Sequence, residues 1–426
     1  MHELWKLTAG EARALLGRRE ISAEELVEAC LARIGEREET VGAWEFIDVE
    51  GARRRARTLD AATEQGPLHG IPVGIKDIID TASMPTRWGS AAFADRQPAA
   101  DAACIRELER AGAIILGKNV TTEFAYFTPG KTRNPHNPAH TPGGSSSGSA
   151  AAVADGMIPI SIGTQAAGST IRPASFCGVP AFKPSHGRWD ITGSLKLYPT
   201  VDTLSVFARS VDDLALVDAV LGPANGSLTP HAPRRALLFR PLEYGRALPE
   251  TLAAMDAAAA AVREAGVRVD EYDAGPPFSD LVEASATIIH FEAARQAASI
   301  RRDHETKLSP IFRELLDKGA AVSEVTYRAA LQTREQARQA WRSLVDPQTL
   351  AIAPAVPGEA PEGLNATGDP VFIRTWNVIG APAVHWPVGR GPRGLPVGVQ
   401  LVGPPDEDRA FLSLVHWFAR RVERGG

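Results

Sequence analysis

Two hydrophobic periodicities alternate along the chain, and that alternation confines it to folds that mix helices with strands. Amphipathic stretches of the 3.6-residue repeat give way to short runs of β-branched apolar residues. Ser22 and Glu25 form a capping-box pattern ahead of L-V-E-A-C-L-A-R-I, in which Leu26, Cys30, Arg33 and Ile34 share one helical face. The run G-I-P-V-G-I-K-D-I-I-D, residues 70 to 80, reads as a buried strand. Ala102, Ile105, Leu108 and Ala111 then recur at helical spacing until Gly112, and the strand A-I-I-L-G follows. Past Gly148, S-A-A-A-V-A-D-G predicts a short helix ended by Gly156, with M-I-P-I-S-I-G as the next strand. Residues 250–266 and 322–346 read as helices and 352–404 as short strands broken by Pro and Gly; no segment has linker composition and no period repeats.

At 426 residues, 44% hydrophobic and 23% charged, the chain is long enough for a large core, organised as one large unit or as two or three smaller ones. A net charge of −5 leaves no broad cationic surface, so non-specific nucleic-acid binding is not expected. Arg53-Arg54-Arg55 reads as the solvated face of a helix, and Arg301-Arg302 and Arg420-Arg421 read the same way. Cys30, Cys104 and Cys177 lie far apart without C-x-x-C spacing, which argues against disulfides and a zinc site. The N-terminus has no apolar core of signal-peptide length, and nowhere do 18 uncharged apolar residues run together. The expectation is a protein of the reducing cytoplasm, away from membranes.

Residues 141 to 149, T-P-G-G-S-S-S-G-S, admit three readings. Composition suggests a linker, yet the stretch is held between coil containing Pro129, Pro135, Pro138 and Pro142 and a compact apolar helix. A phosphate loop would place Lys before the final Ser, and none is there. Gly144 to Gly148 fits G-x-S-x-G with Ser146 as nucleophile, but the nucleophile elbow needs a buried strand just before it, which N-P-A-H-T-P-G-G does not supply. A Ser-His-Asp α/β-hydrolase using Ser146 therefore stays as an alternative. Downstream, a strand empties into the small-residue turn Q-A-A-G-S, whose Ala166, Ala167, Gly168 and Ser169 amides are placed to converge on one oxygen. The ten histidines are scattered, and Pro138 between His136 and His140 spoils a helical metal pair, so no metal is implied. Lys76 ends an apolar run, so it is either paired, with Asp77 or another acid, or partly neutral.

Together, G-P-L-H-G-I-P-V-G-I-K-D, A-G-A-I-I-L-G-K-N-V-T-T-E-F-A, T-P-G-G-S-S-S-G-S-A-A-A-V-A and G-S-T-I-R-P-A-S-F-C-G-V-P-A-F-K-P resemble the amidase signature family in order and spacing. The tail N-V-I-G-A-P-A-V-H-W-P-V-G with G-L-P-V-G-V-Q-L-V-G resembles the family's C-terminal segment, so the likeness spans nearly the whole chain. The resemblance implies an α/β fold in one domain, residues 1–426, with a central mixed β-sheet flanked by helices on both faces. It also implies a Ser-cisSer-Lys triad and no cofactor. Carried over by position, Ser169 is the nucleophile, Ser145 the bridging serine in a cis peptide and Lys76 the base, with Ser146 supporting the site by hydrogen bonding. For Lys76 to accept a proton its pKa must fall from about 10.4 toward about 7.5, roughly 4 kcal/mol, which an apolar pocket supplies. The implied reaction is acyl transfer from a small-molecule amide, with ammonia or an amine leaving before water releases the acid.

Departures from the family pattern bear on the substrate. Gln165-Ala166-Ala167-Gly168-Ser169 replaces the common Asp-x-Gly-Gly-Ser, adding a methyl to the oxyanion loop and predicting a tighter pocket. Arg172 follows the nucleophile by three residues instead of two, similar to malonamidase-like members in which the arginine binds a substrate carboxylate. That spacing predicts a small acidic amide, against a structural ion pair as the other reading. Tyr126, Phe127 and Thr128 are expected to line the acyl pocket, Lys131 to be solvated and Gln400 to be structural. A homodimer is an expected assembly. The same signature occurs in the amidase component of tRNA-dependent amidotransferases, which pass ammonia to a partner protein; this chain is short for that class. A binding protein with a dead site is disfavoured because all three triad positions are filled.

Overall fold

The computed structural model describes residues 3–223 and 228–422. Eleven strands form one mixed sheet: β1 (Trp44–Ile47), β2 (Pro72–Lys76), β3 (Ile114–Asn119), β4 (Ile160–Gln165), β5 (Ala181–Lys183), β6 (Thr203–Ala208), β7 (Arg235–Arg240), β8 (Arg268–Asp273), β9 (Thr349–Pro354), β10 (Ala383–Arg390) and β11 (Pro396–Val402). Their order across the sheet is β1-β3-β2-β4-β6-β5-β10-β11-β9-β7-β8.

Side chains sort to the two faces by the two-residue period of a strand. Ala236, Leu238, Leu350 and Ile352 join one hydrophobic cluster, and their chain neighbours Leu237, Phe239, Ala351 and Ala353 join the other. Helices cover both faces, so the mixed α/β sandwich is the one the resemblance implies. Ser22 and Glu25 do close a capping box on helix Ala23–Val41, which buries Leu26, Cys30 and Ile34. Helices Ala103–Arg110, Ser147–Ala154, Pro249–Glu264 and Glu324–Leu344 stand where the periodicity put them. Among the described residues no helix is long and apolar enough to cross a membrane.

The centre of the sheet decides where chemistry can occur. β2 is parallel to β3 on one side and to β4 on the other, so all five of its residues are buried, which is why the run reads apolar throughout. Ile75 is level with Ile162, so Lys76 closes β2 beside Gly163 while β4 runs two residues further, at the crevice beyond the carboxyl ends where α/β sheets bind ligands. Against these ends lies the helix Ser147–Ala154, approached so closely that a Cβ on Gly148 would sit 2.2 Å from Ala43 O and 2.5 Å from Val120 N. Only glycine fits there.

Candidate active site

Lys76, the last residue of β2, has no solvent contact. Its Nζ hydrogen-bonds Ser145 Oγ at 2.7 Å and Thr164 Oγ1 at 2.8 Å. Burial holds the amine well below the usual lysine range, with Asp202 opposing that effect and Arg172 adding to it. Of the two sequence readings, a pair with Asp77 is not what forms. Asp77 points to the other side of the strand end, where Lys118 Nζ lies 3.6 Å from Asp77 Oδ1 and also donates to Ile79 O and Thr86 Oγ1. Burial raises Asp77 to about 6 and lowers Lys118 to about 8. A third buried lysine, Lys183, donates to Pro184 O at 2.6 Å. Lys76 alone among these three ends on two hydroxyls.

The loop before helix Ser147–Ala154 supplies the first of those hydroxyls. The Gly144–Ser145 peptide is cis. Its carbonyl oxygen accepts from Arg172 Nε at 3.1 Å and Nη2 at 2.7 Å, while Arg172 Nη1 donates to Gly368 O at 2.5 Å. Ser146 Oγ donates to Thr164 O at 3.2 Å and accepts from Thr164 N at 3.4 Å, which ties the loop to β4. The segment preceding Ser146 forms no strand, so the elbow that a Ser146 nucleophile requires is not built.

Beyond β4 the chain turns through residues 166–170 into helix Ile171–Cys177. Gln165 Oε1 accepts from Thr170 N at 2.9 Å and Ile171 N at 3.0 Å, and Asn377 Nδ2 donates to Ala166 O and, at 3.1 Å, to Val201 O. Ala167, Gly168 and Ser169 donate their amide hydrogens to no acceptor among the described residues. All three, with Ala166, border a cavity of about 160 Å³, together with Tyr126, Phe127, Arg172, Tyr198, His290 and Arg374. Lys76 and Ser145 lie outside that lining. Thr128 is also outside it: its hydroxyl hydrogen-bonds Ser309 Oγ at 2.8 Å instead, because the coil turns that side chain toward a helix cap.

A buried amine with two hydroxyls thus stands behind a cavity edged by Ser169 and a row of free amides: Ser146 N donates to Ser169 O at 3.3 Å, which sets the two loops side by side, while Ser169 Oγ makes no hydrogen bond to Ser145 or to any other described residue. The Amidase family model matches residues 25–412. The chain belongs to the Amidase family. It is an enzyme that acts on amide C–N bonds. This amidase is 33% identical to the A subunit of the glutamyl-tRNA(Gln) amidotransferase of Roseiflexus castenholzii, over 97% of this chain and 95% of that protein. A solved amidase shares 30% identity and a TM-score of 0.88 over 97% of this chain and 100% of its own. The peptide amidase of Stenotrophomonas maltophilia shares 27% identity and a TM-score of 0.83, covering 98% and 97%.

Sequence reasoning missed four residues of the amidase site. Thr164 is the second hydroxyl on Lys76; the parallel placement of β2 beside β4 would have found it, since Thr164 follows the residue level with Lys76. Asp202 is half-buried, its carboxylate accepting from Leu197 N at 3.0 Å and Tyr198 N at 2.8 Å, and desolvation raises it to about 7. His290 and Arg374 come from helices far along the chain and carry no local motif. Gln400 is structural, donating to Pro354 O and Phe372 O, each at 2.7 Å.

Proposed function

We propose that this amidase hydrolyses a small carboxylic amide through an acyl-enzyme on Ser169. The observation that carries the reading is Lys76, an amine without solvent contact that is bonded to two hydroxyls and to no carboxylate. Charging it there is opposed by desolvation, so the neutral amine is the resting form. A neutral amine has two N–H bonds and one lone pair. Donating to Thr164 leaves the lone pair for the Ser145 hydrogen, while Ser145 Oγ takes the hydrogen of Ser169. Ser169 Oγ bonds to the carbonyl carbon as the C=O π pair moves to oxygen, and the amides of Ala166, Ala167, Gly168 and Ser169 receive that oxyanion. Collapse breaks the C–N bond, and the leaving nitrogen takes a proton back through Ser145. Water then attacks the ester along the same relay, releasing acid and Ser169. Ser146 supports the relay by holding Thr164. A cavity of about 160 Å³ suits a small molecule, since ~150 Å³ admits a benzene-sized guest.

Ser169→Ala is expected to lower amide turnover on the order of 10⁴-fold or more without moving the unfolding midpoint. Hydroxylamine capture measures the acyl-enzyme directly. Acyl-enzyme formation that persists in the variant would transfer the nucleophile's role to Ser146.

A second reading rests on the curated relatives, which favour it more than the solved amidases favour the first: the amidase component of an amidotransferase, with the same acyl chemistry serving a partner protein. Its alignment with the Roseiflexus protein runs over 468 positions, longer than the 426 residues of this chain, so that relative carries segments missing here. Ammonia release from small amides by the purified chain alone supports the first reading. Activity that appears only with a co-purified partner protein supports the second.

A further inference from the structure

The cavity beside Ser169 has an unbalanced charge. Two of its lining residues are arginines, Arg172 and Arg374, and none is Asp or Glu. Arg172 is largely committed, with three of a guanidinium's five N–H bonds on the carbonyls of Gly144 and Gly368. Arg374 is half-buried at the start of helix Arg374–Val378; its backbone N–H donates to Pro370 O at 3.4 Å, but its guanidinium has neither a hydrogen bond nor an ion pair among the described residues. Acids lie within electrostatic reach of this wall, but each is already engaged, Asp202 by the amides of Leu197 and Tyr198 and two others by cations. Asp369 acts on Arg172 and is bound by Arg246 at 2.7 Å. Glu314 acts on His290 and is bound by Lys318 at 2.7 Å. His290 cannot supply the missing negative charge. The Tyr198 hydroxyl is buried at the same cavity without a partner.

We propose, building on the amidase reading, that the substrate carries a carboxylate and no ammonium group, and that Arg374 binds the carboxylate. A partly desolvated guanidinium without a counter-ion is costly, and a ligand carboxylate supplies the missing charge in the geometry its planar fork favours. An ammonium on the same ligand meets two guanidinium groups and no carboxylate, so an α-amino amide such as glutamine is repelled where its deamino analogue is held. The class this describes is the monoamides of short dicarboxylic acids. Arg374 acts as a specificity-determining residue, and the position marked by sequence spacing, Arg172, holds the Gly144 carbonyl.

The experiment compares the monoamides of malonate, succinate and glutarate with the corresponding diamides, and glutarate monoamide with glutamine, in the wild type and in Arg374→Gln. The wild type is expected to favour the best monoamide over its diamide by about 10- to 100-fold in kcat/KM, the range of one hydrogen-bonded charge, and glutarate monoamide over glutamine by a similar factor. Arg374→Gln should raise KM for monoamides by that factor and affect diamides several-fold less, with Arg374→Lys recovering part of the loss. Equal wild-type kcat/KM for monoamide and diamide, or an equal effect of Arg374→Gln on both, overturns the proposal, as does a preference for glutamine. Calorimetry on Ser169→Ala separates the two readings. Monoamide binding that depends on Arg374, with no amide turned over by the wild type, sinks the hydrolase reading and keeps the carboxylate site; turnover of diamides without monoamide preference does the reverse.

Discussion

Around the end of β2, Lys76, Ser145, Ser146, Thr164 and Arg172 each end on another atom of the protein, and every one of those contacts is buried. The helix Leu281–Gln296 meets the same cavity with Ser285, Ala286, Ile289 and His290, whose side chains make no hydrogen bond among the described residues. Away from the cavity Glu292 ties that helix by accepting from Thr200 N at 3.1 Å and Tyr327 Oη at 2.7 Å, but its cavity end is held by apolar packing, with Phe312, Leu315 and Leu316 of helix Pro310–Ala321 in the same cluster and the Phe124 and Phe312 rings 4.5 Å apart. Directional bonds fix atoms to fractions of an ångström, as proton relay demands, whereas apolar contacts tolerate changes of shape. On the function proposed above, chemistry therefore belongs to the strand-end floor and selection to the helical wall.

The division breaks first, if it breaks, at Lys76. Replacing it with methionine keeps the volume and removes a buried amine, so Lys76→Met should fold and lose on the order of 10³-fold or more in kcat. The pH profile gives the sign. Lys76 has an ordinary value near 10.5 and is held well below it, so kcat/KM of the wild type should climb as pH rises through the lowered value and then level off. From that lowered value up to about 10.5, where the rate is already level, the unfolded chain binds a proton that the folded chain does not, so stability rises with pH across that interval. Lys76→Met should flatten both slopes. A variant whose rate keeps the wild-type rise would place the base elsewhere and remove the floor's claim to the chemistry.

The floor was legible in the sequence because its demands are local. A lysine closing an apolar strand, glycines at close approaches and a small-residue turn after a strand each have a physical reason that a few neighbouring residues reveal. Thr164 escaped because its role depends on which strand lies beside β2. The helical wall was nearly invisible for a stronger form of the same reason: His290 and Arg374 reach the cavity only through docking of helices whose patterns announce amphipathicity and nothing more. Thr128 shows the limit from the other side. Its place next to two cavity aromatics suggested a shared surface, but in irregular coil consecutive side chains need not face one way, and this one turns to Ser309.

Gly168 tests where floor and wall meet. A Cβ there would lie 2.5 Å from Pro370 Cβ, four residues before Arg374, so Gly168→Ala must displace either the amide row or the proline. Where these amides hold the oxyanion as proposed, a shift of about 1 Å lowers kcat about 10²-fold, so that loss is expected with little change in KM. A change confined to KM would mean that the wall, not the floor, yields.

Ile289 should give the smallest effect and the finest distinction. It is half-buried, borders the cavity and packs against the second hydrophobic cluster. Removing methylenes that are only partly shielded, each worth ~0.8 kcal/mol when fully buried, predicts a KM increase of about tenfold or less for Ile289→Ala. The relay is untouched, so kcat should stay within about twofold, and steady-state kinetics on one amide reads both. A kcat loss exceeding the KM change would show that the apolar wall orients the reacting carbonyl, and the separation of chemistry from selection would then not hold in this enzyme.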